Sequence, residues 1–172
     1  MELQGKHIAI LTENVYEDLE LHYPRLRMLE AGATVHLLGA GDAVYHGKHG
    51  LPAEPDGQID DARAEDYDAV IVPGGYSPDK MRAHPPFIEF VRRMAAQDKL
   101  VAFICHAGWV PASAGILKGR RVTSYATIKD DLVHAGAEWV DEEVVQDGKL
   151  ISSRTPADLP AFCRAIIAAL AD

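Results

Sequence analysis

The chain has 172 residues, 48% of them hydrophobic, which is enough to enclose one substantial core and suits a single domain over residues 1–172. Its 26 acidic and 17 basic side chains give a formal net charge of -9, which repels a phosphate backbone and removes nucleic acid as a general partner. No apolar run approaches the roughly 18 residues of a membrane span. The opening MELQGKHIAIL lacks the basic, apolar and small-residue order of a secretory signal, so a cytoplasmic location is expected.

Taken in chain order, HIAILT (7–12), TVHLL (34–38), DAVIVP (68–73) and LVAFIC (100–105) are short, β-rich apolar runs that read as buried parallel strands. Leu19, Tyr23, Leu26 and Leu29 recur at helical spacing after the first strand, with Pro24 predicting a kink or a late helix start. Phe87, Phe90, Val91 and Met94 mark a second helix, and AGA at 31–33 and at 135–137 supplies two glycine helix stops. RRVTSY follows residue 119, VVQDGKLISS reads as a hairpin turned at Asp147-Gly148, and PADLPAFCRAIIAAL closes the chain as a helix. Strands alternating with helices imply a layered α/β domain.

Two cysteines in a chain without an export signal are expected as free thiols. Cys163, beside Phe162 and Ile166 on the last helix, reads as core. Cys105 differs, because it ends an apolar strand just before a segment of small residues that could begin a helix near Ala107, with Pro111 in its first turn. Ligands of open α/β sheets bind beyond the carboxyl ends of strands, and a helix start would favour the thiolate. His106 is a candidate base or a backbone-bonded neighbour, since adjacency at a turn does not set geometry. Val72-Pro73-Gly74-Gly75 ends another strand, where glycine could expose NH groups for an oxyanion. Among Glu13, Glu17, Asp18 and Glu20, spacing alone does not say whether any carboxyl reaches the thiol. Eight histidines allow a metal site by number, yet no Cys-x-x-Cys, His-x-His or His-Glu-x-x-His spacing supports one, and no metal or other cofactor is expected.

From Lys6 to Leu170 the chain resembles the DJ-1/PfpI superfamily, and within it the PfpI-like, or intracellular protease I, branch. The resemblance rests on NVYEDLEL, GKHG at 47–50, YDAVIVPGGYSPDKMR, AFICHAG, ILKGRRVTSY, IKDDLVHAGAEWVDEEVV and SSRTPADLPAF, in that order. It implies a flavodoxin-like three-layer α/β sandwich with a mainly parallel central sheet. Residue by residue, it implies Cys105 as nucleophile, Glu17 as its partner carboxyl, and oxyanion NH groups at Gly75 and His106, with Gly74 and Ala107 in the same oxyanion and substrate region. It also implies Tyr125 near the same pocket, and Asp79 of a neighbouring subunit as the residue that pairs with His106. The motif departs at Ala107-Gly108-Trp109, where the branch usually has glycine and proline after the histidine; the Ala107 methyl and the indole are expected to narrow or repack the pocket.

The resemblance further implies a cofactor-independent stress enzyme acting on small aldehydes or glycated proteins (glyoxalase III or deglycase type), in a homodimer or hexamer. Two alternatives use the same residues. One is a cysteine peptidase with a Cys105, His106, Asp79 triad across subunits. The other is a redox sensor or chaperone oxidised at Cys105.

Overall fold

The computed structural model describes residues 1–171. Eleven strands run in chain order: β1 His7–Leu11, β2 Thr34–Gly39, β3 Tyr45–His46, β4 Pro52–Ala53, β5 Gly57–Gln58, β6 Ala69–Val72, β7 Leu100–Ile104, β8 Arg121–Val122, β9 Glu138–Trp139, β10 Val144–Asp147 and β11 Leu150–Ser153. Six helices accompany them: α1 Asp18–Glu30, α2 Ser77–Arg82, α3 Pro85–Ala96, α4 Trp109–Ala114, α5 Lys129–His134 and α6 Leu159–Ala171.

Seven strands form one sheet in the order β10-β11-β7-β6-β1-β2-β5, parallel throughout except for the β10-β11 hairpin. Its central strands are apolar along their length because both faces are covered. Ile8, Ile10, Ala69, Ile71, Ala102 and Ile104 point into the core layer shared with α1 and α6. Ala9, Leu11, Val70, Val72, Val101 and Phe103 point the other way, against α3 and α4. The two-residue alternation of a strand therefore serves two cores at once, giving the α/β three-layer sandwich. Pairing of Ile10 with Ile71, and of Val72 with Phe103, brings the carboxyl ends of β1, β6 and β7 to one edge.

Three local readings are revised. The α1 helix runs through Pro24 from a start at Asp18, since Glu17 caps it by accepting from the Glu20 NH at 3.1 Å. The apolar spacing in α1 does not mark its buried face: Leu19, Leu26 and Leu29 are exposed, whereas Asp18, Glu20, Leu21, Pro24 and Met28 are buried. The hairpin turn is Gly148-Lys149, one residue later than expected, because Asp147 still pairs with Leu150. Phe87, Phe90, Val91 and Met94 are all buried on α3, as their spacing requires.

Candidate active site

Cys105 follows β7 directly and opens a 3-10 turn, Cys105–Gly108, that leads into α4. Its φ is +63°, in the left-handed region that costs a side chain of order 1–3 kcal/mol. The Tyr125 NH holds the bend by donating to the Cys105 carbonyl at 3.2 Å. The thiol is nearly enclosed, at 7% exposure. Across from it, Gly75 has φ +76°, and a Cβ there would stand 2.5 Å from the Glu17 nitrogen. A Cβ on Gly74 would stand 2.5 Å from Glu20 Oε2 and 2.8 Å from the Cys105 Cβ, so glycine lets strand end, carboxyl and cysteine converge.

The carboxyl beside the sulfur belongs to Glu20, not to Glu17. Glu17 precedes α1, so its side chain folds back as the helix cap, with Oε1 3.8 Å from His49 Nε2 at the cavity rim. Glu20 sits in the first turn on the inward face and is wholly buried. Its Oε2 accepts from the Gly74 NH at 2.7 Å. Its Oε1 is buried without a well-formed hydrogen bond, and the carboxyl is coupled to the Cys105 thiol. The Gly74 NH, expected to serve an oxyanion, is thus committed to orienting Glu20.

Burial pushes the Glu20 carboxyl up to about 8, so at neutral pH it mainly holds its proton. Burial, and then the Glu20 charge, push the Cys105 thiol up to about 12, while the His106 and Gly75 NH groups favour the thiolate. The repulsive part of that rise disappears once Glu20 is protonated, because the two groups share one negative charge. The expectation that a helix start lowers the thiol is reversed: α4 begins four residues beyond the sulfur, and enclosure dominates.

His106 Nδ1 lies 3.3 Å from the Cys105 sulfur, and Nε2 lies 3.3 Å from Thr127 Oγ1. Burial, and secondarily the Lys48 charge, lower its pKa, which keeps the ring neutral. With Nε2–H donated to Thr127, the Nδ1 lone pair faces the thiol. Tyr125 stacks on the ring at 5.0 Å and Trp109 meets it edge-on at 5.3 Å.

These groups line a cavity of about 390 Å³ bounded by Glu17, Glu20, Gly75, Cys105, His106 and Tyr125, together with Lys48, Tyr76 and Pro156. Ala107 does not reach it: its side chain is wholly buried in the core layer that holds Val110, Ile128 and Leu132. The indole of Trp109 acts on the site through His106, while its Nε1 donates to Asp131 Oδ2 at 2.8 Å. Asp79 lies on the exposed side of α2, outside the cavity, and within its own chain His106 is oriented by Thr127.

Lys48 comes from the loop between β3 and β4, which buried Asp18 clamps by accepting from the His49 and Leu51 NH groups, both at 2.9 Å. The GKHG and SSRTPADLPAF motifs covered Lys48 and Pro156, whereas nothing in the sequence marked Thr127. Both cysteines are free, and Cys163 packs in the α1/α6 core layer, 1% exposed. Among the described residues no helix is long and apolar enough to cross a membrane.

A mainly parallel α/β sandwich with a buried cysteine bent over the end of a central strand, and an imidazole and a carboxyl at its sulfur, defines a cysteine-centred α/β site. The chain belongs to the DJ-1/PfpI family, whose profile matches residues 6–169. It is 42% identical over 160 residues to Deglycase PH1704 of Pyrococcus horikoshii, covering 93% of this chain and 96% of that one. It is 41% identical over 171 residues to General stress protein 18 of Bacillus subtilis, covering 96% and 98%. Among solved structures, a two-domain protein from Anabaena variabilis with DJ-1/ThiJ/PfpI-like and ferritin-like domains matches with a TM-score of 0.94 and 41% identity, over 96% of this chain and 48% of that one.

Proposed function

We propose that the protein is a cytoplasmic stress enzyme that converts 2-oxoaldehydes such as methylglyoxal, or their early adducts on proteins, at Cys105 without a cofactor. The observation that carries this is the opposition of two groups at one sulfur: neutral His106 at 3.3 Å, and a Glu20 carboxyl that keeps its proton at neutral pH. The deglycase relative supports the substrate class, and the stress protein supports the setting.

The sulfur adds to the aldehyde carbon as its proton passes to His106 Nδ1, and the carbonyl oxygen takes that proton to give a hemithioacetal. The Gly75 and His106 NH groups steady the charge on oxygen. Neutral His106 then removes the hydrogen from the former aldehyde carbon and returns it to the adjacent carbonyl carbon. The first carbon is oxidised to a thioester and the second is reduced to an alcohol. Water cleaves the thioester, giving a 2-hydroxy acid and the thiol, so methylglyoxal plus water yields lactate with no outside oxidant. Throughout, the Glu20 carboxyl donates to sulfur whenever it carries negative charge.

A peptidase is a weaker reading, because the enclosed thiol leaves a peptide little approach. The redox-sensor alternative draws on the same protonated Glu20. Cys105→Ser should lower lactate formation from methylglyoxal by at least about a hundredfold, the scale of a lost nucleophile. An unchanged lactate yield in that variant overturns the reading.

A further inference from the structure

Lys48 has no role in the chemistry above, yet it is built into the site. Its own NH donates to the Tyr16 carbonyl at 2.8 Å, and Val15 donates to the His46 carbonyl at 2.8 Å, tying the loop to the chain that enters α1. The buried Asp18 carboxylate accepts from the NH groups of His49 and Leu51, both just after Lys48 in the chain. A Cβ on Gly47 would collide with that carboxylate at 2.4 Å, so the loop is packed tightly against it. The ammonium that this frame presents makes no ion pair or side-chain hydrogen bond among the described residues. It lines the same cavity as Cys105, and its charge is felt at Cys105, Glu20 and His106.

A fixed loop carrying an unpaired cation into a reaction cavity is a recognition element. We infer that Lys48 selects 2-oxoaldehydes that carry a carboxylate at the end remote from the aldehyde. This rests on the carbonyl chemistry proposed above and narrows its substrate class. One ammonium matches one negative charge, whereas a phosphate dianion is normally held by several donors. Lys48 is exposed, so a neutral substrate leaves its ammonium to water, whereas a substrate carboxylate in the cavity gains a charge-assisted hydrogen bond from it.

The test substrate is 4,5-dioxovalerate, which has the methylglyoxal head and a carboxylate on a two-carbon tether. With water it gives 2-hydroxyglutarate, by the same internal oxidation and reduction. In the wild type, kcat/KM for dioxovalerate should exceed that for methylglyoxal. Lys48→Met should lower the ratio of the two about tenfold, mainly through the KM of dioxovalerate, and Lys48→Arg should restore most of it. A ratio unaffected by Lys48→Met overturns the inference. Calorimetric titration with 2-hydroxyglutarate provides a readout without turnover: the wild type should bind it at least about tenfold more tightly than Lys48→Met. Equal binding overturns the inference as well. If neither aldehyde is converted but binding still depends on Lys48, the carbonyl reading fails while the anion recognition stands.

Discussion

The placement of Cys105 was legible because it needed only strand ends and turn chemistry: an apolar run stops, small residues follow, and the sulfur lands at the carboxyl edge of the sheet. Its carboxyl partner was not. Glu17 and Glu20 are three residues apart in a cluster of acids, and the choice between them depends on where the helix begins. A residue just before the first turn caps, while one inside the turn can point inward. The assignment to Glu20 has a pH consequence. The proposed active form has Glu20 protonated, so activity should fall as pH rises through about 8, where the carboxylate forms and repels the sulfur's charge. Glutamine keeps a donor for sulfur and an acceptor for the Gly74 NH but does not ionise. Initial rates with methylglyoxal from about pH 5 to about pH 10 should therefore show an alkaline limb in the wild type that is missing in Glu20→Gln. If both proteins show the same limb, Glu20 is not the group that titrates.

The two long helices on opposite faces show why amphipathic spacing succeeded once and failed once. On α3 nothing but packing is asked of the inward face, so Phe87, Phe90, Val91 and Met94 fill it. On α1 the inward face must deliver Glu20 to the cysteine and Asp18 to the loop of Lys48, and Pro24 occupies another inward position. Polar residues thus lie where the pattern demands apolar ones, and leucines are left outside. A functional demand on one turn of a helix is enough to mislead a period-based reading of the whole. The two kinds of leucine on α1 should respond differently to truncation. Leu21→Ala, in the core layer with Ile8, Ile10 and Met28, should cost about 2–5 kcal/mol in urea unfolding. Leu26→Ala, at 66% exposure, should stay within about 0.5 kcal/mol. Similar losses for the two would show that the exposed face of α1 is covered in solution.

At the scale of the molecule, the doubly covered sheet was readable because a strand buried on both faces has no polar alternation, and four such runs separated by helices allow few architectures. The β3-β4 loop that carries Lys48 was marked only by the GKHG motif and not by any hydrophobic pattern, since two-residue strands leave no period to detect. What the fold carries at the site is a stability cost, and Glu20 makes it measurable. The carboxyl titrates near 4.5 when exposed and near 8 when folded, so below pH 4.5 both states hold the proton and the group is neutral to folding. Between those values only the unfolded chain releases it, and stability falls by about 1.4 kcal/mol per pH unit. Above about 8 both states are ionised and the loss stops growing. Glu20→Gln has no such dependence. Its melting temperature should therefore match or exceed the wild type near pH 5, and the gap should widen toward pH 8. The three units from pH 5 to pH 8 correspond to about 4 kcal/mol, or roughly 8–16 °C for a chain of this size. Parallel melting curves for the two proteins across that range would mean that Glu20 stays ionised in the folded state. The proton-holding role at Cys105 would then have to pass to another group.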